Sequence, residues 1–140
     1  MALTAEQQQQ VDDALYADKL ADALASIARM TSEQLHSFVV HYNWDDGFAA
    51  PRAVLEQPGC ERGTALHIYY ALGGPFDEEQ ANGDHRVFLD EVKARLLSGE
   101  LPERDVAYDP IADWQINKLQ LLKLQRSGIS DELIRPARSR

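Results

Sequence analysis

The sequence predicts an all-α protein, a single-domain irregular bundle of about six to eight short helices. Apolar residues recur at the three- and four-residue spacing of amphipathic helices along most of the chain. No two segments alternate polar and apolar residues as paired strands do. Glycine, proline and helix-capping residues interrupt the pattern at short intervals. A length of 140 residues, with 44% hydrophobic and 26% charged, is typical of one globular domain, which we assign to 1–140.

The first helical segment begins at Thr4, which can form a capping box with Gln7. No glycine or proline follows until after Met30. The apolar positions up to residue 15 and those from residue 20 onward lie on faces about half a turn apart. The segment is therefore either two helices separated near Asp18 or one helix buried on both sides.

The next helix begins at Thr31 or Ser32, either of which is a favourable N-cap residue. Its core-facing positions follow the i, i+3, i+4, i+7 spacing: Leu35, Phe38, Val39 and Tyr42. Residues 43–47 interrupt this helix. Because Pro51 has no N–H and is tolerated only in a first helical turn, we expect a further helix over about 48–56.

An N-W-D-D-G motif joins these two helices. Asn43 and Gly47 are residue types that adopt unusual backbone angles in turns. We expect Asp45 or Asp46 to accept hydrogen bonds from the amides at the start of the next helix, where negative charge is also favourable. Trp44 is expected to fold back on the core, whereas an exposed tryptophan here would be typical of a binding hot spot.

The segment from Cys60 or Glu61 to Leu72 is the most apolar of the chain. Its hydrophobic residues lie on nearly all sides, which predicts a central buried helix. Its β-branched and aromatic residues also permit a buried strand, which the flanking helices make less favourable. Gly63 and Thr64 lie one turn into this helix, and a glycine there lets another segment of backbone approach closely.

The acidic segment 76–84 is predicted to be an exposed, mobile loop. A helix follows over about 85–98, closed by Gly99, and a loop continues to Tyr108. Both predictions follow from the clustering of turn-forming residues on either side of one apolar helical stripe.

The C-terminal part is predicted to be one helix over 110–127. Asp109 and Pro110 give it a strong start signal, an acidic cap followed by proline at the first helical position. Its apolar residues point in several directions, so we expect it to contact more than one neighbour and to place Trp114 in the core. The basic tail 136–140 is expected to fray.

The net charge of −9 is high for this length. It disfavours binding to phosphate backbones and to anionic membranes, so neither nucleic acid nor a membrane is an expected partner. It favours rapid association with a basic protein. The single cysteine, Cys60, permits no intramolecular disulfide, and the chain begins without a basic and apolar leader. We expect a cytoplasmic protein.

Four residues are candidates for a metal site or for acid–base chemistry: His41, Asp45, Asp46 and His67. The spacing matches no helical pair of metal ligands, and adjacent carboxylates rarely converge on one atom. His41 fits better as a partial cation at a helix end, and His67 as a hydrogen-bonded polar group on a buried helix. Cys60 fits better as a small buried residue than as a nucleophile. We therefore expect no metal, no cofactor and no enzymatic activity.

A series of motif residues runs through the centre of the chain: Asn43, Trp44, Asp45, Gly47, Pro51, Pro58, Cys60, Gly63, Thr64, Ala65 and Leu66. They form the N-W-D-D-G turn, a proline-led helix, a P-x-C turn and a G-T-A-L helix start. In this order they resemble a bacterial family, the domain of unknown function numbered 4274. The resemblance covers about 35–75 and, more weakly, the next helix, which gives a family-like core of about 35–98. It implies a small helical cytosolic protein and brings no catalytic residues.

Small acidic bacterial domains of this kind are often immunity proteins of toxin systems, which is an analogy of class. We therefore expect an inhibitor that occludes a cognate, basic toxin domain. The expected partner-binding residues are Asp45, Asp46, Asp77, Glu78, Glu79 and Asp84. Two alternatives stay open: a ligand-binding or metal-binding protein or enzyme that uses the four candidate residues above, and a regulatory or scaffold module.

Overall fold

The computed structural model describes residues 3–140 and confirms the all-α class. Nine α-helical segments follow one another in this range: α1 (Ala5–Leu15), α2 (Leu20–Ile27), α3 (Ser32–Val40), α4 (Ala49–Glu56), α5 (Arg62–Ala71), α6 (Gly74–Asp77), α7 (Gly83–Ser98), α8 (Pro110–Asp113) and α9 (Lys118–Arg126). Three 3₁₀ turns lie between or after them: Trp44–Asp46, Glu78–Gln80 and Asp131–Leu133. None of the helices within 3–140 is long and apolar enough to cross a membrane.

The central element is α5, which packs against α3 on one side and α7 on another. The side chains of Leu66, Ile68, Tyr69 and Tyr70 are all fully buried. Each such burial contributes roughly 1.5–3 kcal/mol of hydrophobic stabilisation, so this helix holds the bundle together. The segment is helical, as the pattern predicted, and the strand alternative is wrong.

Two capping boxes fix the N-terminal half. Thr4 and Gln7 exchange hydrogen bonds of 2.9 and 3.1 Å at the start of α1. Thr31 and Gln34 do the same at the start of α3, and the buried Gln34 amide also donates to the backbone carbonyl of Gln7 and to the side chain of Gln10. The segment before Met30 is two helices, because the chain leaves helical geometry between α1 and α2.

The prediction of one helix over 110–127 is wrong. The chain forms the single turn α8, then leaves helical geometry at Gln115, whose φ is 51°. It begins again at α9 because Asn117 and Gln120 form a third capping box, with hydrogen bonds of 2.9 and 2.8 Å. Trp114, at the C-terminus of α8, is 45% exposed and not in the core.

Two further expectations about loops and ends are also wrong. Segment 76–84 is mostly exposed, as expected, but it holds the end of α6, a 3₁₀ turn and the start of α7 instead of a continuous loop. The tail 136–140 is docked, because Tyr108 and Ala137 exchange backbone hydrogen bonds of 3.0 and 2.8 Å and the Arg140 amide donates to the Arg104 carbonyl at 2.7 Å. Ala137 is buried, so packing holds the tail where its basic composition alone suggested fraying.

Candidate functional site

The corner between α3 and α4 is a compact aromatic turn. The Asn43 side chain accepts a hydrogen bond of 3.1 Å from the Asp45 amide. The Tyr42 hydroxyl donates to the Gly47 carbonyl at 2.7 Å, and the Tyr42 and Trp44 rings meet edge to face with centroids 5.3 Å apart. Gly47 has a φ of 89°, which other residues rarely adopt. The unusual backbone expected of Asn43 is absent, since its φ is −84°.

Neither aspartate of this corner caps α4, which corrects the sequence-based expectation. The N-cap residue of α4 is Phe48, whose side chain accepts no hydrogen bond from the amides of the helix. Asn43 caps the 3₁₀ turn instead, and Gly47 and Phe48 separate the carboxylates from the amides of α4. Asp45 and Asp46 are both exposed, and no hydrogen bond or ion pair among the described residues engages either carboxylate. These two charges are therefore available to solvent or to a partner.

The other expected partner-binding residues divide into two groups. Asp77, Glu79 and Asp84 are exposed. Glu78 is half-buried, accepts a hydrogen bond of 3.2 Å from the Tyr69 hydroxyl and forms an ion pair with Lys93. Burial first, and then the Glu78 charge, raise the pKa of Tyr69. The Glu78 carboxylate therefore already has partners within the fold and is not an available binding residue.

Both acidic segments adjoin the first turn of α7. The Phe48 ring, just after the N-W-D-D-G corner, lies 6.0 Å from the His85 ring, measured between centroids. His85 follows Asp84 directly, and the next residue, Arg86, donates a hydrogen bond of 2.7 Å to the Glu78 carbonyl. We call the exposed carboxylates of these two segments the acidic surface: Asp45, Asp46, Asp77, Glu79 and Asp84.

A second polar feature, a partly buried cluster, lies between α3, α5 and the segment before α8. The rings of His36, His67 and Tyr108 meet edge to face, with centroids 5.3–6.2 Å apart. His36 Nδ1 lies 3.1 Å from the Thr64 hydroxyl, and the Tyr108 hydroxyl donates to the Asp113 carboxylate at 2.7 Å. His67 Nδ1 is buried with no hydrogen-bond partner, so the hydrogen bond expected for His67 is absent at this nitrogen.

Burial sets the protonation of this cluster. The pKa of His36 is lowered to about 4, by burial first and by the neighbouring His67 second, against the opposing effect of the Glu61 and Asp113 charges. Burial likewise lowers the pKa of His67. It raises the pKa of Tyr108, as does the hydrogen bond to Asp113. At neutral pH the three rings are therefore uncharged.

The four candidates for metal or acid–base chemistry do not form one group. His67 lies in the partly buried cluster, whereas Asp45 and Asp46 project from the α3–α4 corner. His41 ends α3, as expected, and its Nδ1 lies 2.9 Å from the Ser37 carbonyl. Within residues 3–140, no three His, Cys, Asp or Glu side chains are arranged to hold a metal ion. The Cys60 thiol is buried, and burial raises its pKa to about 12, so it stays protonated.

The adjacent charged residues Glu61 and Arg62 form an extensive hydrogen-bonded site that was not among the residues expected from the sequence. The Glu61 carboxylate, 1% exposed, accepts hydrogen bonds of 2.8–3.1 Å from the backbone amides of Arg104, Asp105 and Val106. The Arg62 guanidinium, 3% exposed, contacts the Glu103 carboxylate at 3.1 Å. It also donates to the carbonyls of two C-terminal residues, Glu132 at 2.9 Å and Arg135 at 2.6 Å.

The pair therefore clamps the loop after α7 and the C-terminal segment to the start of α5. One signal in the sequence could have predicted this site: two adjacent charged residues stand at the start of the most apolar helix. Charged residues are buried only when they have partners, so contacts with other segments were to be expected there. Gly63 completes the clamp. A Cβ atom there would lie 3.0 Å from the Val106 carbonyl oxygen, which confirms the close backbone approach expected at this glycine.

Comparison with known proteins identifies one segment of the chain. Residues 30–98 match the model of DUF4274, a domain of unknown function. The match runs from just before α3 to the end of α7, so it includes the N-W-D-D-G corner and the buried central helix. No curated protein and no solved structure matches the chain. The suspected family is thus the one whose model matches, over the 69 residues from 30 to 98.

Proposed function

We propose that this protein is an immunity or inhibitor protein that binds a bacterial toxin domain in the cytoplasm and occludes its active site. One observation carries the proposal: Asp45 and Asp46 stand exposed beside Trp44 with no partner in the described part of the chain. A folded protein gains no stability from two adjacent, unpaired like charges, so a role outside folding accounts for them better. The proposed activity is binding, without catalysis, metal or cofactor.

The rest of the acidic surface supports a basic partner. Asp77, Glu79 and Asp84 add negative charge around the first turn of α7, and the net charge of −9 would speed diffusional encounter with a basic domain. Two aromatic side chains supply apolar anchors for such an interface. Trp44 is partly buried at the corner, and Phe76, next to Asp77, is 44% exposed.

The test uses a toxin domain encoded beside this gene, co-expressed and co-purified with the protein. We expect a stable complex, loss of toxicity, and an affinity that falls steeply as salt rises. The variant Asp45→Lys/Asp46→Lys should weaken binding by at least about tenfold. Its matched control is Glu56→Lys/Glu100→Lys, which makes the same charge change at two exposed sites outside the acidic surface.

Two outcomes would count against this function. One is a gene with no toxin domain beside it and whose deletion leaves cells healthy. The other is a complex whose affinity the two double variants reduce equally, because net charge and not the acidic surface would then govern binding.

A second candidate function, binding of a small molecule, rests on the partly buried cluster. A cavity of about 320 Å³, the lower end of the range for ligand sites, opens beside His36, His41 and Asp105. His36 lines this cavity, whereas His67, whose Nδ1 has no hydrogen-bond partner, does not line it and contacts the His36 ring. Imidazole NMR signals recorded during a screen of small polar compounds test this candidate. Saturable shifts of His36 and His67 support it, and unchanged signals across the screen oppose it.

A further inference from the structure

The charge of the chain is divided sharply along its length. Residues 1–117 carry eight Lys or Arg and twenty-one Asp or Glu, for a net charge of −13. Residues 118–140 carry six Lys or Arg and two Asp or Glu, for a net charge of +4. The basic part begins with α9, a helix that buries one residue, Leu124, and so rests lightly on the bundle. An acidic protein thus presents a basic helix at its surface.

One face of α9 combines cations with exposed leucines. At ~100° per residue, five of its exposed positions fall within an arc of about 140°: Lys118, Leu119, Leu122, Lys123 and Arg126. Leu119 is 61% and Leu122 is 41% exposed. Across the described residues, none of the three cations pairs with a carboxylate. We call these five residues the α9 face.

The opposite end of the chain offers a complementary cleft. A cavity of about 460 Å³, in the size range of a binding cleft, lies between α1 and α2. Its carboxylates are Glu6, Asp13 and Asp22, its apolar floor includes Ala14 and Ala17, and its one cation is Arg29. Two apolar side chains outside the cavity lining are exposed nearby in the chain: Tyr16, just after α1, at 83%, and Leu20, the first residue of α2, at 52%. We call this region the α1–α2 cleft.

We propose that the α9 face of one molecule docks in the α1–α2 cleft of a second copy of this chain. The two surfaces match in charge and in apolar content: lysine and arginine meet carboxylates, and two leucines meet Tyr16, Leu20 and the alanine floor. Burying the exposed apolar side chains gives the contact its affinity, and the opposite charges give it orientation and a dependence on salt. The contact uses neither half of the acidic surface, so it is independent of the proposed inhibitor function.

Such a contact joins two different surfaces and is head to tail. It closes into a ring or continues as a chain of molecules, according to the rotation between neighbours. An anionic membrane fits the α9 face less well, because two leucines insert little apolar area and residues 1–117 would be repelled.

Sedimentation velocity of the full chain, over a hundredfold range of protein concentration, tests the proposal. The wild-type protein should associate as concentration rises and dissociate in high salt. The donor variant Lys118→Glu/Lys123→Glu and the acceptor variant Asp13→Lys/Asp22→Lys should each lose association by at least about tenfold. Their matched controls are Arg95→Glu/Arg104→Glu and Glu56→Lys/Glu100→Lys, at exposed sites outside both surfaces. Circular dichroism of every variant establishes that it is folded.

A mixture of the donor and acceptor variants gives the sharpest outcome. The donor variant keeps an intact α1–α2 cleft and the acceptor variant keeps an intact α9 face, so together they should form a 1:1 dimer that grows no further. A wild-type chain that stays monomeric over the whole range would overturn the proposal. So would control variants that dissociate as readily as the donor and acceptor variants, or a mixture that does not pair.

Discussion

Two pairs of adjacent charged residues in the segment that matches DUF4274 differ in burial. Glu61 and Arg62 begin α5 and are almost fully buried, with each charge engaged by several partners. Asp45 and Asp46 lie between α3 and α4 and are exposed, with no partner among residues 3–140. Both pairs sit at the junction of two helices. Position at a junction therefore does not determine whether a charged residue is structural or available for binding. That depends on whether a segment distant in sequence packs against it and supplies hydrogen-bond partners.

The difference has an energetic basis. A buried charge costs several kcal/mol unless hydrogen bonds and an opposite charge replace its water. Three backbone amides replace the water around the Glu61 carboxylate, and Arg62 receives both hydrogen-bond partners and the Glu103 carboxylate. Both residues are therefore required by the fold and unavailable to a ligand. An exposed carboxylate keeps its water and contributes little to stability, so a partner can engage it at low cost. We therefore expect changes to the first pair to affect folding and changes to the second to affect binding.

The largest effect is expected from Arg62→Met. The change leaves two backbone carbonyls and the Glu103 carboxylate without the guanidinium, which should lower the free energy of unfolding by about 3–5 kcal/mol. Urea denaturation measures it. Arg52→Met is the matched control, because Arg52 forms an exposed ion pair with Glu91 and should cost about 1 kcal/mol or less. Equal losses in the two variants would contradict a structural role for the buried pair.

Acid should weaken the same region through the partly buried cluster. The folded-state pKa of His36 is about 4, below the 6.5 of an unfolded histidine, so the unfolded state binds more protons below pH 6.5. The stabilisation is complete above pH 6.5 and is lost as the pH falls towards 4, by up to about 1.4 kcal/mol for each pH unit.

Urea denaturation at several pH values tests this prediction. The variant His36→Gln should show a shallower loss of stability between pH 6.5 and pH 4 than the wild-type protein. His41→Gln, at an exposed histidine just after the same helix, is the control and should follow the wild type. An unchanged slope in His36→Gln would exclude this histidine as the cause.

A smaller effect is expected from Gly63→Ala. The new methyl group would lie 3.0 Å from both the Val106 carbonyl oxygen and a Val106 methyl, so the loop that Glu61 holds must move. Overpacking of this kind costs about 1–3 kcal/mol. Gly59→Ala is the control, since its methyl group would meet the Ser32 hydroxyl at an ordinary 3.4 Å. Thermal unfolding compares the two, and an equally small loss at Gly63 would argue against a tight approach.

Local signals in the sequence predicted much of the fold. The capping box at Thr4, the N-cap residue at Thr31 or Ser32 and the apolar run of α5 each lie within a few adjacent residues, so they could be recognised directly. The Asn117 capping box that divides the C-terminal helix is equally local and was hidden by the stronger start signal at Asp109.

The partners of the buried charges could not be predicted in this way. Arg62 contacts residues 41 to 73 positions away, and the docked tail depends on a bridge to Tyr108 that only the tertiary fold creates. The expectation that Asp45 or Asp46 caps α4 was wrong for a related reason. The spacing made an aspartate cap on α4 plausible. In the structure Asn43 caps the 3₁₀ turn and no side chain caps α4, and only the backbone geometry of the corner shows this.

The smallest effect on stability is expected from Asp45→Asn/Asp46→Asn. Since neither carboxylate has a partner and the two repel each other, the free energy of unfolding should change by less than about 0.5 kcal/mol or rise slightly. Urea denaturation measures this change. A loss above about 1 kcal/mol would show that the pair stabilises the corner after all.

Calorimetric titration tests the proposed binding role of Asp45 and Asp46 most directly. The toxin domain encoded by the adjacent gene is titrated into Asp45→Lys/Asp46→Lys and into its control, Glu56→Lys/Glu100→Lys. We expect both variants to be as stable as the wild type and only Asp45→Lys/Asp46→Lys to lose affinity, by at least about tenfold. Unchanged affinity in Asp45→Lys/Asp46→Lys would contradict the central claim that this exposed pair is reserved for a partner.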